Sequence, residues 1–141
     1  MRLLMIHVDY FSSTITEKGR SKIFEEVSPN SKTIRVDEAL LVLTSVEKID
    51  ENNFQISEKA AEEIAQQANQ LKVNTIVLHP FAHLFAELSK PEVAIKLLKK
   101  IEKSLLKNGF NAVRTPFGWF NSLEIKAKGH QFSRVARIIS D

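Results

Sequence analysis

The chain has 141 residues, 43% of them hydrophobic and 26% charged, and carries a formal net charge of +3. That is the size of one ordinary domain with ample apolar content for a single core, which excludes a disordered chain. With no cysteine it has no disulfide scaffold, no thiolate zinc site and no cysteine nucleophile. The longest apolar runs, such as 39–43, are strand-sized, and Leu3–Ile6 is too short for a signal h-region before His7 and Asp9. The expectation is a soluble, cytoplasmic single domain with no membrane contact. Its charge is uneven: Met1–Ser89 holds 9 basic and 13 acidic residues, and the remainder 11 basic and 4 acidic. A positive half can draw a polyanionic partner, although charge alone does not decide between that and chance.

In chain order, residues 2–8 read as a mostly buried first strand. Residues 9–33 are polar, with Ser12-Ser13, Gly19 and Pro29-Asn30, and predict a long loop, which in a compact domain is expected to serve a purpose. Residues 34–50 return to β-forming types with apolar side chains on both faces, the pattern of a central strand covered twice. Ser57 is the predicted N-cap of a helix whose stripe is Ala61, Ile64, Ala65, Ala68 and Leu71. The β-branched run 73–78 then gives a βαβ unit with two parallel neighbouring strands. Ser89-Lys90-Pro91-Glu92 reads as a capping box opening a second helix, closed by Asn108-Gly109. Residues 110–115 and 119–127 are predicted strands around a Pro116-Phe117-Gly118 turn, and 132–139 a last strand or helix. The whole reads as one α/β domain without repeats.

Three features carry candidate chemistry. His79-Pro80-Phe81-Ala82-His83 leaves the end of a buried strand, where open α/β sheets bind ligands. The two histidines, four apart, lack a third ligand and are interrupted by Pro80, so no metal is expected. His79 reads as structural, and His83, in the loop, as either a proton carrier or a structural residue. The second feature is Pro116-Phe117-Gly118-Trp119-Phe120-Asn121, a turn allowing close backbone approach beside rings that either stack on a base or form a small aromatic core. The third is Lys96, Lys99, Lys100, Lys103 and Lys107, which line one side of the second helix and are either a solvated face or a phosphate-contacting one. No glycine-rich phosphate loop, nucleophile elbow or carboxylate cluster is present, and no cofactor is expected.

Three segments taken together, Met1–Tyr10, Pro80–Leu84 with Glu87–Pro91, and Pro116–Phe120 with Lys128-Gly129-His130, resemble the N-terminal editing domain of archaeal threonyl-tRNA synthetases. Ser45-Val46-Glu47-Lys48 lies between them, and the resemblance spans nearly the whole chain. It implies a D-aminoacyl-tRNA deacylase-like fold, with a mixed β-sheet and two main helices, and hydrolysis of serine mischarged on tRNA(Thr). It also implies a homodimer working with the remaining synthetase domains or with a partner synthetase. Such a second sieve is needed because one methyl discriminates by only about 1–3 kcal/mol. By resemblance, Ser45, Val46 and Glu47 hold the aminoacyl group, Pro80, Phe81, Ala82, Pro116, Phe117 and Gly118 shape the pocket, and the terminal adenosine rests near Phe117, Trp119 and Phe120. The lysine face steers the tRNA. Two positions depart from the family pattern: Asn121 stands where many members carry lysine, and Arg134 where they carry glutamate. Asn121 can orient a water but not serve as a base. Three readings remain: His83 moves the proton, the terminal ribose hydroxyl assists, or the site is weakened and mainly binds RNA. The resemblance favours the ribose. A D-aminoacyl-tRNA deacylase proper is the alternative enzyme.

Overall fold

The computed structural model describes residues 1–140. The first strand, β1 (Arg2–Lys18), is far longer than the sequence suggests. The serines and threonines of residues 10–15 suggest a loop, yet Phe11, Ser13 and Ile15 all turn inward and are buried, so the period-two pattern continues past Asp9. The long loop therefore shrinks to residues 19–32. β2 (Thr33–Ser45) pairs antiparallel with β1 from Arg2↔Ser45 to Thr14↔Thr33. It is the expected doubly covered strand, and residues 48–52 beyond it form a 3-10 turn instead of more strand.

α1 (Ile56–Leu71) joins β2 to β3 (Thr75–Pro80), and these strands run parallel as neighbours, as the βαβ pattern requires. α1 starts one residue before Ser57, with Gln55 at the cap, and the Ser57 hydroxyl instead donates to the Phe54 carbonyl at 3.0 Å. α2 (Pro91–Lys107) leads to β4 (Asn111–Arg114), parallel to β3. The predicted capping box does not form there: Ser89 Oγ donates to the Lys90 carbonyl, and the Lys90 amide donates to Glu51 at 2.7 Å. Proline at the first helical position costs no hydrogen bond, and Gly109, at φ +91°, ends the helix. β5 (Trp119–Ala127) and β6 (Arg134–Ile138) share the outer edge of β1, giving the order β4-β3-β2-β1-β5 with β6 beside the first part of β1. The sheet is mixed, with both helices on one face.

Two cores result. The larger lies under the helices, where Leu3, Met5, Leu40, Val42, Ile76 and Leu78 meet Ile64, Leu97, Leu98 and Ile101. The smaller is on the opposite face, around Val8, Phe11, Leu41, Leu43 and Val77. Phe11 lies 5.9 Å from the His79 ring. In a flat sheet its register partner Val36 would stand about 23 Å from Leu43, the partner of His79. β1 must therefore curl over the face, and the irregularities in its β5 pairing at Val8/Tyr10 and Ile15/Glu17 supply the bend. That curl brings the end of β1 back to the carboxyl ends of β2 and β3.

Candidate active site at the carboxyl ends of the parallel strands

Where β2, β3 and β4 end, their crossovers diverge and leave a pocket of about 250 Å³. Its floor is Thr44, Val46, His79 and Pro80, and one side is Phe81 and Ala82. The amide of Phe81 donates to the Thr44 carbonyl at 2.9 Å and that of Ser89 to the Val46 carbonyl at 3.1 Å. The walls at Val46 and Phe81 are thus anchored through backbone, which cannot rotate away as a side chain can. The segment 46–50 is braced from beneath, because Asp50 accepts from the Glu47 amide at 2.7 Å and from the amino group of Met1 at 2.9 Å.

The opposite wall is the turn Pro116–Gly118 followed by Trp119, Phe120 and Asn121. Gly118 has φ +93°, and a Cβ there would come within 2.6 Å of Phe24 Cβ. Only glycine fits both the backbone and the approach. Phe24 packs edge-on against Trp119 at 5.8 Å, and the indole N–H donates to the Glu25 carbonyl at 2.8 Å. The Trp119 ring is therefore held by the residue 24–25 segment and still borders the pocket.

His79 is buried, bonded through Nδ1 to Thr115 Oγ1 at 2.8 Å, and burial lowers its pKa to about 4. It is a neutral imidazole near pH 7. His83 is exposed, stacked edge-on against Phe81 at 5.8 Å, and is not among the pocket-lining residues. Asn121 does line the pocket, with its amide donating to Ser13 Oγ at 3.0 Å. Ser45 is buried with its hydroxyl unpartnered among the described residues, and Glu47 is turned to Arg2 at 3.0 Å, so of that trio only Val46 faces the cavity.

Of the lysine row, Lys96 and Lys100 stand over the Phe54 ring at 4.4 and 5.3 Å, outside the pocket lining. α2 enters the pocket wall through Ala94 and Leu98 and then runs away from it, so Lys107 lies about 16 Å further along the axis than Lys96. Arg134 is exposed on β6, outside the lining. Sequence reasoning missed Gly19, Arg20 and Ser21, which cross the mouth of the pocket from the end of β1. No local signal could have placed them there, since their position depends on the curl of a strand.

The fold matches a solved structure named as a c-Myc DNA unwinding element binding protein, with a TM-score of 0.73 over 100% of both chains at 14% identity. The architecture is the D-aminoacyl-tRNA deacylase-like fold, a single domain with a mixed six-stranded sheet and two helices. In sequence, 99% of the chain aligns with threonine–tRNA ligases of Methanocaldococcus jannaschii, at 46% identity over 140 residues, and Thermococcus sibiricus, at 44% over 140 residues. The chain spans about a fifth of these relatives, 22% of each. The model of the archaea-specific editing domain of threonyl-tRNA synthetase matches residues 1–139, nearly the whole chain, and this chain belongs to that family.

Proposed function

We propose that this domain hydrolyses the ester of serine mischarged on tRNA(Thr) and spares the threonyl ester. Water adds to the acyl carbon, the bond to the ribose oxygen breaks, and that oxygen takes up a proton as serine leaves. The carrying observation is the make-up of the cavity. Among the described residues its lining holds no carboxylate and no lysine, and its one imidazole, His79, is buried and held low in pKa. A site of this kind supplies position and shape, leaving proton transfer to the neighbouring hydroxyl of the substrate's own terminal ribose. Val46, Ala82 and the Pro116–Gly118 turn present rigid walls to the β-carbon, where the extra methyl of threonine would collide.

The test is deacylation of seryl-tRNA(Thr) and threonyl-tRNA(Thr) by this chain at low salt. Loss of serine with threonine spared is expected. His83→Ala should retain the activity within about threefold, whereas removal of the free terminal ribose hydroxyl should lower it by about 10²–10⁴-fold, the usual worth of positioned acid–base catalysis. A collapse in His83→Ala with native fold assigns the proton transfer to His83. Cleavage of neither ester, alongside RNA binding, assigns the chain a binding role. We also propose that the domain works as a homodimer with the rest of a synthetase. Phe85, 95% exposed, and Ile138, 68% exposed, leave apolar surface near the β6 edge that a second copy would cover, which sedimentation measures directly.

A further inference from the structure

The rim of the pocket is built by a segment to which the hydrolysis above assigns no role. Residues 19–27 leave β1 and are tied closely to the aromatic turn. The Gly19 amide donates to the Gly118 carbonyl at 2.9 Å, the Glu25 amide to the Phe117 carbonyl at 3.0 Å, and the Phe117 amide back to Glu25 Oε1 at 3.1 Å. The same carboxylate is ion-paired with Arg114, which also reaches Glu102 at 3.1 Å. A Cβ on Gly19 would meet the Gly118 carbonyl at 2.8 Å, so the two backbones touch. The rim is thereby fixed to the wall it borders.

On this fixed run stands Arg20. It lines the pocket mouth, is exposed, and pairs with no acid among the described residues. Glu25, the nearest acid after it in the chain, is occupied by Arg114. Lys18 lies over the Phe24 ring at 3.8 Å, and Lys22 is exposed two residues beyond Arg20. Glu17 and Glu26 bracket the run, so its net charge is small and long-range attraction does not explain it. The local arrangement does: an unpaired guanidinium held at the edge of an apolar cavity.

We propose that Arg20 is a phosphodiester-binding residue of this site, gripping the phosphate that joins the terminal nucleotide of the RNA strand to its neighbour. This rests on the reading that an acylated RNA end occupies the pocket. With the ester at the floor and the nucleoside extending towards solvent along Trp119 and Phe120, the next phosphate reaches the rim. A guanidinium suits it, because its planar donors meet two phosphate oxygens at once. The lysines of α2 recede from the mouth and answer to phosphates further along the RNA.

The test compares a single-stranded RNA tetranucleotide ending in CCA with adenosine, which has no phosphate, following Trp119 fluorescence and calorimetric binding in the native chain, Arg20→Ala and Arg20→Lys. Arg20→Ala should weaken the tetranucleotide about tenfold at low salt and flatten its salt dependence by about 0.7 in log–log slope, the share of one single-strand phosphate. Adenosine should bind all three proteins within about twofold, and Arg20→Lys should recover part of the loss. Equal losses for adenosine and RNA would overturn the proposal, as would an unchanged tetranucleotide affinity in Arg20→Ala or no binding by the native chain. Deacylation is measured separately, so an Arg20 effect on RNA binding without ester cleavage removes the editing reading and leaves this one standing.

Discussion

At the scale of single residues, Glu25 and His79 brace the walls of the pocket, Glu25 through Phe117 and Trp119 and His79 through Thr115. Glu25 is 89 positions from Arg114 in the chain, yet its carboxylate and backbone hold the Phe117 amide, the Trp119 indole and the Arg114 guanidinium together. Glu25→Ala should cost about 1–3 kcal/mol, since it leaves the part-buried Phe117 amide without its acceptor and Arg114 with Glu102 alone, and should shift Trp119 emission to the red as the neighbouring turn loosens. Gly118→Ala places a methyl against Phe24 in a left-handed backbone and should cost about 1–3 kcal/mol, read from chemical unfolding, with reduced discrimination against threonine. His79 gives a pH signature. Burial holds its pKa near 4, against 6.5 when unfolded, so the unfolded chain takes up this proton first as pH falls. Stability from this group is therefore full above pH 6.5 and declines towards pH 4, by up to about 3 kcal/mol. The thermal midpoint of His79→Gln should fall less than that of the native chain over that window, and parallel curves would show that His79 does not titrate this way.

At the scale of elements, β1 decides the architecture. Its first part pairs with β6 and carries Leu3 and Met5 into the helical core, while its second part pairs with β5 and carries Phe11 into the other. Phe11→Ala should cost about 3–5 kcal/mol, measured by denaturant unfolding. It should also raise the His79 pKa, because the ring covering that imidazole is removed. A helix-face substitution such as Ile101→Ala should cost a similar 2–5 kcal/mol and leave the His79 titration unchanged. The contrast separates the two cores. The helices and the Pro116 turn were legible in sequence because each depends on a short stretch of chain, and the parallel β2–β3 pair because a strand–helix–strand succession requires it. The second half of β1 was not, because Ser12, Ser13, Thr14 and Thr16 look like loop residues until the edge they pair with is known.

At the scale of the whole molecule, the basic excess of the second half is spread over several surfaces. Lys96 and Lys100 rest on Phe54, Arg114 is consumed by Glu25 and Glu102, and Lys128 lies between Asp9 and Glu38 at 2.5 Å from each. Lys99, Lys103 and Lys107 are exposed along one row of α2 and pair with no acid among the described residues. Changing these three to glutamine should lower tRNA affinity and its salt slope while leaving hydrolysis of a seryl-adenosine ester unchanged. An equal effect on the small ester would show that the row acts through the fold instead of through phosphate contacts.

The sequence by itself determined the class of domain, the βαβ unit, the two helices and the segments around Val46, Pro80 and Pro116 that meet at the strand ends. The domain class, the βαβ unit and the helices follow from periodicity and residue type, and the Pro80 and Pro116 segments from strand-end position and turn chemistry, all of which are local, whereas the Val46 segment follows from the family resemblance. Only the tertiary structure decided that Ser45 and Glu47 turn from the cavity while Val46 faces it, that His83 stands outside and His79 inside, and that Gly19–Ser21 line the mouth. Those outcomes depend on strand curl and on contacts between residues tens of positions apart, whose geometry no window of the chain contains.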